Sequence, residues 1–223
     1  IILRSFRKIQ SIMAPLNCEN VILLGCSGSI GSTLVPLLKV DFKNFIAIDI
    51  KNNGLNTNNN EFIKYDLSKG FPFAALEFIE KYAENGIALI NCLGSISSHC
   101  FLSLKSNKLN HQEQFNKQIN ILEKDVYENF LLPITLSTQF ANLVISQRGF
   151  ASIVNFSSVS SYGNSGQLGY SSSKAALEVG TKVLSREYGP LGIRANIVAP
   201  GFIDVHTHDD HALLSNPSMS LAI

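Results

Sequence analysis

Tyr170 and Lys174, in the run Tyr-Ser-Ser-Ser-Lys, form a pair that could move a proton. On a helix their spacing puts both side chains on one face, a turn apart. Two serines, Ser157 and Ser158, lie thirteen and twelve residues before the tyrosine. They follow the apolar run 152–156, which reads as a buried parallel strand. A phenol, an ammonium and a hydroxyl can therefore converge at the carboxyl edge of a sheet, where open α/β folds place ligands.

The elements that must position this group alternate between strand and helix. Residues 20–24 are a short apolar strand ending in Gly25-Cys26-Ser27-Gly28-Ser29-Ile30-Gly31, and a helical pattern through Leu34, Leu37 and Leu38 follows. Strand, glycine loop and helix make a cradle for a pyrophosphate, the helix start adding free N–H groups and a positive dipole end. The candidate contacts are Gly25, Ser27, Gly28, Ile30 and Gly31. The next strand, 45–50, carries Asp49 near its end, eighteen residues after Gly31. That spacing suits an acid that hydrogen-bonds a ribose. A carboxylate there would repel a 2′-phosphate, so the expected cofactor is NAD(H) rather than NADP(H).

Further along, residues 51–60 are a polar loop and 61–65 a short strand. Asp66 and Leu67 follow it; Asp66 could cap a turn or meet an adenine amino group. Residues 72–84 have helical spacing. Strand 87–90 leads into Asn91-Cys92-Leu93-Gly94, a turn expected beneath the cofactor. Residues 95–117 are polar and irregular, and such long connections usually border a functional mouth. A long amphipathic helix is expected over 121–147, containing Asn129, with Pro133 disturbing its ladder. The Tyr170 helix should run to residue 188, stopped by Gly189-Pro190. Strand 193–199 ends at Pro200-Gly201. The alternation predicts an α/β fold, one parallel sheet covered by helices on both faces.

Bulk properties narrow the field. The chain has 223 residues and a formal net charge of +1, so no strong field for nucleic acid or membrane is indicated. No apolar run reaches the ~20 residues of a membrane span. Cys18, Cys26, Cys92 and Cys100 show no CxxC spacing and read as reduced thiols of a cytoplasmic protein. Residues 1–12 read as an extension outside the fold, with a basic targeting segment as the sharper alternative.

With these residues in place, the chain from about residue 20 to 204 resembles a short-chain dehydrogenase/reductase of the Tyr-x-x-x-Lys branch. The matching pieces are GCSGSIG, Asp49, Asp66-Leu67, NCLG, Asn129, the serine pair, YSSSK and APG. The resemblance implies a single Rossmann-type, doubly wound sheet of six strands, with the family's last strand missing. It implies NAD as cofactor and a small carbonyl or secondary-alcohol substrate, in a homodimer built on the helices of Asn129 and Tyr170. Tyr170 would be the general acid/base. Lys174 would lower its pKa together with the positive nicotinamide, and hold the nicotinamide ribose. A serine would bind the substrate oxygen, and Asn129 would anchor a water relay. Asn91, Gly94, Pro200 and Gly201 would complete the cofactor site. The match departs from the family in a G-x-x-G-x-x-G loop, in NCLG, and in the serine register. Ser158 is the expected serine and Ser157 its substitute.

The residues after Asp204 match another pattern. VAPGFIDVHTHDDHALL is similar to the opening strand of amidohydrolases, in which the His-x-His pair, here His206 and His208, ligates zinc. Both resemblances meet at VAPGFID, so a fusion of two genes is expected there. Two histidines do not complete such a site, and 205–223 is expected to be a histidine-rich tail without a metal. The competing functions are a non-catalytic nucleotide-binding module and, on the tail alone, an amidohydrolase fragment.

Overall fold

Continuous apolar runs become the central strands: β1 (Asn20–Leu24), β4 (Ile87–Asn91) and β5 (Ala151–Phe156) are buried along their whole length. Strands covered on both faces require that pattern. The computed structural model describes residues 18–52, 61–97 and 110–201. Among them β2 (Asn44–Asp49), β3 (Phe62–Lys64) and β6 (Ile193–Val198) complete a sheet in the order β3-β2-β1-β4-β5-β6. Every pairing is parallel.

Five α-helices cover the described sheet: α1 (Ser29–Asp41), α2 (Phe73–Tyr82), α3 (His111–Val126), α4 (Leu132–Ser146) and α5 (Leu168–Tyr188). The alternation of side chains along each strand divides the core in two. Ile22 and Leu24 of β1 pack with Ala75 and Ile79 of α2, Leu136, Phe140 and Val144 of α4, and Leu184 of α5. Val21 and Leu23 face Leu34, Val35 and Leu38 of α1. The strand order reverses between β1 and β4, and this switch opens a crevice above their carboxyl ends.

Two expected boundaries are corrected. The helix expected over 121–147 is two helices, and the first begins at His111, inside the stretch expected to be irregular. Asn110 caps it: its side chain accepts from the Glu113 N–H, and Glu113 accepts from the Asn110 N–H. Between α3 and α4 lies a π-helical turn, Tyr127–Leu131, in which the Leu132 N–H reaches the Tyr127 carbonyl five residues back. Pro133, which brings no N–H, follows it. The α5 helix begins at Leu168, two residues before Tyr170. The expectations for residues 1–12, for the central part of 95–117, and for His206 and His208 lie outside the described residues.

Candidate active site

The glycines of the first loop divide the work. Gly25 has φ +75°, and a Cβ there would lie 2.9 Å from the backbone of Cys92. A Cβ on Gly31 would overlap the Gly25 carbonyl oxygen, so only glycine lets α1 close onto the loop. Gly28 is exposed and stands at the N-cap of α1. The first turn of α1 carries no acid, and its N–H groups have no acceptor inside the helix. This end therefore suits an anion. Ile30, expected beside a cofactor, is half-buried and packs against the core on the α1 face. Asp49 braces the loop: its Oδ2 accepts from the Ser27 N–H at 2.8 Å and its Oδ1 from the Lys51 N–H at 3.2 Å. The Ser27 hydroxyl donates to the Lys51 carbonyl.

A cavity of about 530 Å³ opens above this loop. Gly25, Ser27, Gly28, Asp49, Asp66, Leu67 and Gly94 line it, as do Ser95, Tyr127 and Glu128, which motif spacing did not reveal. Asp66 accepts from the Ser68 N–H at 3.0 Å and so caps the turn Leu67–Lys69. Asn91 is buried and points away from the cavity. Its Nδ2 donates to the Pro133 carbonyl at 3.0 Å, and its Oδ1 accepts from the Leu93 N–H at 3.2 Å. It shapes the turn that the cavity rests on.

Three expected catalytic side chains come from α5 and the turn after β5. Tyr170 and Lys174 are both buried in α5. The Lys174 Nζ donates to the Phe156 carbonyl at 2.8 Å and stands 5.9 Å from the centre of the Tyr170 ring. Ser158 shares a hydrogen bond with the Tyr170 hydroxyl and accepts from the Ser160 N–H at 3.2 Å. Ser157 faces elsewhere, its hydroxyl donating to Glu178 Oε1 at 2.7 Å. The geometry thus brings Ser158, and not Ser157, to the tyrosine.

Asn129 sits fully buried in the π-helical turn. Its Oδ1 accepts from the Ser95 N–H and its Nδ2 donates to the Asp125 carbonyl, both at 3.1 Å. Gly94 joins it to the lysine. With φ +135°, a Cβ at Gly94 would lie 2.6 Å from Asn129 Oδ1 and 3.1 Å from Lys174 Nζ. Pro200 and Gly201 lie beside the serine turn: the Pro200 carbonyl accepts from the Val159 N–H at 3.4 Å, and Gly201 packs on the Val159 side chain.

Burial decides the electrostatics. It pushes the Tyr170 phenol up, while the Ser158 hydrogen bond works the other way. Lys174, expected to lower the phenol together with the nicotinamide, is not among the causes that act on it here: its ammonium stands 5.9 Å from the ring centre and donates a hydrogen bond to the Phe156 carbonyl. Burial also brings Lys174 down to about 8 and pushes the Cys26 thiol up to about 12. Cys92 is pushed up for the same reason, so these thiols are poor nucleophiles.

The lysine gives a stability prediction. Its folded value, about 8, lies below the ordinary 10.5, so the unfolded chain holds more protons between those limits. Stability from this group therefore rises with pH across that window and is lost as pH falls through it. Below the window the buried ammonium costs roughly 3 kcal/mol. The unfolding free energy of wild type minus Lys174→Met should fall by up to that amount, roughly 3 kcal/mol, from the upper to the lower limit. Denaturant melts across the window measure it, and a flat difference would contradict the buried ammonium.

A family profile described as short chain dehydrogenase matches residues 19–213. The 3-oxoacyl-[acyl-carrier-protein] reductase FabG of Rickettsia typhi is 30% identical over 195 residues, 86% of this chain and 75% of that protein. The short-chain reductase protein NovJ of Streptomyces niveus is 41% identical over 66 residues, 30% of this chain and 25% of NovJ. The match likewise spans only 25% of the (3R)-3-hydroxyacyl-CoA dehydrogenase of Rattus norvegicus. Among solved structures, 4-hydroxyisoleucine dehydrogenase complexed with NADH and succinate aligns with TM-score 0.63 and 27% identity, over 85% of this chain and 82% of that one. A short chain dehydrogenase from Leptospira borgpetersenii with bound NAD+ aligns with TM-score 0.62 and 26% identity, over 86% of this chain and 74% of that one. The profile runs from before β1 to beyond β6, and on that ground this chain belongs to the short-chain dehydrogenases, a family of oxidoreductases.

Proposed function

We propose that this protein is an NAD(H)-dependent oxidoreductase that interconverts a carbonyl compound and a secondary alcohol. One observation carries the reading: Gly94, in the wall of the cavity above the glycine loop, closely approaches both Lys174 and Asn129, and Lys174 shares α5 with a tyrosine hydrogen-bonded to Ser158. The bound dinucleotide supplies or accepts the hydride. This chain's residues hold it and manage the proton. The first turn of α1 takes the pyrophosphate, Asp49 the adenosine ribose, Asp66 the adenine edge, and Lys174 the nicotinamide ribose. Tyr170 gives its proton to the substrate oxygen in reduction and takes it back in oxidation. Ser158 holds that oxygen, and Asn129 anchors the water through which Lys174 and then Tyr170 recover a proton.

Consumption of NADH tests the reading, with a panel of ketones that includes a 3-oxoacyl thioester, since a 3-oxoacyl reductase is among the relatives. Turnover of at least one ketone, with NAD+ reduced by the matching alcohol, is the expected result. Tight NADH binding with no turnover in either direction would favour a non-catalytic nucleotide-binding module. The exposed apolar residues Phe115 and Ile119 on α3 and Val179 and Val183 on α5 support a homodimer. The free thiols Cys18, Cys26 and Cys92 suit a cytoplasmic protein.

Asp49 should set the choice of cofactor. Loss of a charge-assisted contact is worth about 1.5–3 kcal/mol, so Asp49→Ser should weaken NADH binding about 10- to 100-fold and narrow the preference over NADPH. Calorimetric titration with both dinucleotides checks it, and a wild type that prefers NADPH would refute the assignment.

A further inference from the structure

We infer that Asp125 is a positioning residue: its carboxylate ties the segment after β4 and the first turn of α5 to α3, and so sets where Asn129 and Tyr170 stand. The inference rests on the reading of those two residues given above. Asp125 is 3% exposed on a helix that is otherwise largely open to solvent. Among the described residues no lysine or arginine forms a salt bridge with it. A buried carboxylate without a cation needs hydrogen bonds or an oriented dipole to offset its lost hydration.

One hydrogen bond and the start of α5 supply the offset for the carboxylate, the main-chain carbonyl makes a further contact, and each leads to the site. Asp125 Oδ1 accepts from the Ser97 hydroxyl, in the segment that continues from Gly94 and Ser95. The Asp125 carbonyl accepts from Asn129 Nδ2 at 3.1 Å. Oδ2 occupies the place where Gly169 lacks a side chain: a Cβ there would overlap it and would come within 2.8 Å of the Asp125 Cβ. Gly169 immediately precedes Tyr170. The first turn of α5 has no acidic residue, and Gln167 at its N-cap gives no side-chain cap. Asp125 is thus the carboxylate at this positive helix end, lent by a neighbouring helix. Glycine at 169 is what lets it come so close. Loss of the carboxylate would free the first turn of α5 to shift, and Tyr170 with it.

The test uses the full chain with Asp125→Ala and Asp125→Asn. Asp125→Ala should lower kcat about 10- to 100-fold, the effect of a misplaced catalytic group, while NADH affinity stays unchanged. Asp125→Asn, which keeps the shape and an acceptor for Ser97, should fall between alanine and wild type. Hydrogen exchange should quicken at residues 168–172 and around Asn129, with the later turns of α5 and the central strands as protected as before. A wild-type kcat in Asp125→Ala, or protection lost evenly through α3 and α5, would overturn the inference. Should the alanine variant not fold, the asparagine variant carries the test with the same signs. In a wild type that consumes no NADH, the exchange pattern alone decides: local loss upholds the tie, even loss overturns it, and the functional reading fails separately.

Discussion

Tyr170→Phe should abolish most turnover and leave cofactor binding intact. The ring is buried to 7% exposure, and phenylalanine fills the same space without the hydroxyl. What disappears is the proton donor and its hydrogen bond with Ser158. A positioned general acid is worth about 10²- to 10⁴-fold, and kcat should fall by that factor at saturating NADH. The NADH dissociation constant, read by calorimetry, should not move. The raised phenol pKa adds a direction. At neutral pH the hydroxyl keeps its proton and is ready for ketone reduction. Alcohol oxidation needs the phenolate, so its rate should climb with pH while reduction does not. A variant that keeps wild-type kcat would remove Tyr170 from the chemistry.

Gly94→Ala should disable the site from the other side. The added Cβ would meet Asn129 Oδ1 at 2.6 Å and Lys174 Nζ at 3.1 Å. Neither neighbour is free to retreat: the Asn129 amide is held by Ser95 and Asp125, and the lysine by the Phe156 carbonyl. The backbone at φ +135° also disfavours any L side chain. Strain and overpacking together should cost about 1–3 kcal/mol of stability. Displacing the lysine and the amide should lower kcat by about 10²-fold. Denaturant midpoints and initial rates measure the two effects. Wild-type values for both would mean that the turn after β4 is loose and that Gly94 does not join the lysine to the amide.

The framework of the fold was legible because burial on both faces leaves continuous apolar runs, as at β1, β4 and β5. Gly25, Gly31, Tyr170 and Lys174 were legible because close approach and helical spacing restrict residue type. The start of α3 was not, because its first apolar residues, Phe115 and Ile119, are exposed and stand isolated among polar ones, so no buried stripe marks where the helix begins. Its signal was the capping box of Asn110 and Glu113, two residues in a polar stretch. The serine could have been chosen from strand phase. A period of two puts Asn155 and Ser157 on one side, and both bond the middle of α5, through Thr181 and Glu178. Ser158 is then left to face Tyr170. The meeting of Asp125 with Gly169 was beyond reach, since a buried carboxylate and an exposed one look alike in sequence. The balance at Tyr170 also needed coordinates, because the spacing of Lys174 says nothing of where its ammonium points.

A crystal structure with NAD+ bound would decide whether Tyr170 works at the dinucleotide's reactive ring. The pyrophosphate is expected over the first turn of α1, the adenosine ribose at Asp49, and the nicotinamide ring in contact with the Tyr170 hydroxyl, its ribose on Lys174. A dinucleotide bound with its nicotinamide turned away from Tyr170, or none bound above Gly25, Gly28 and Gly31, would contradict that role.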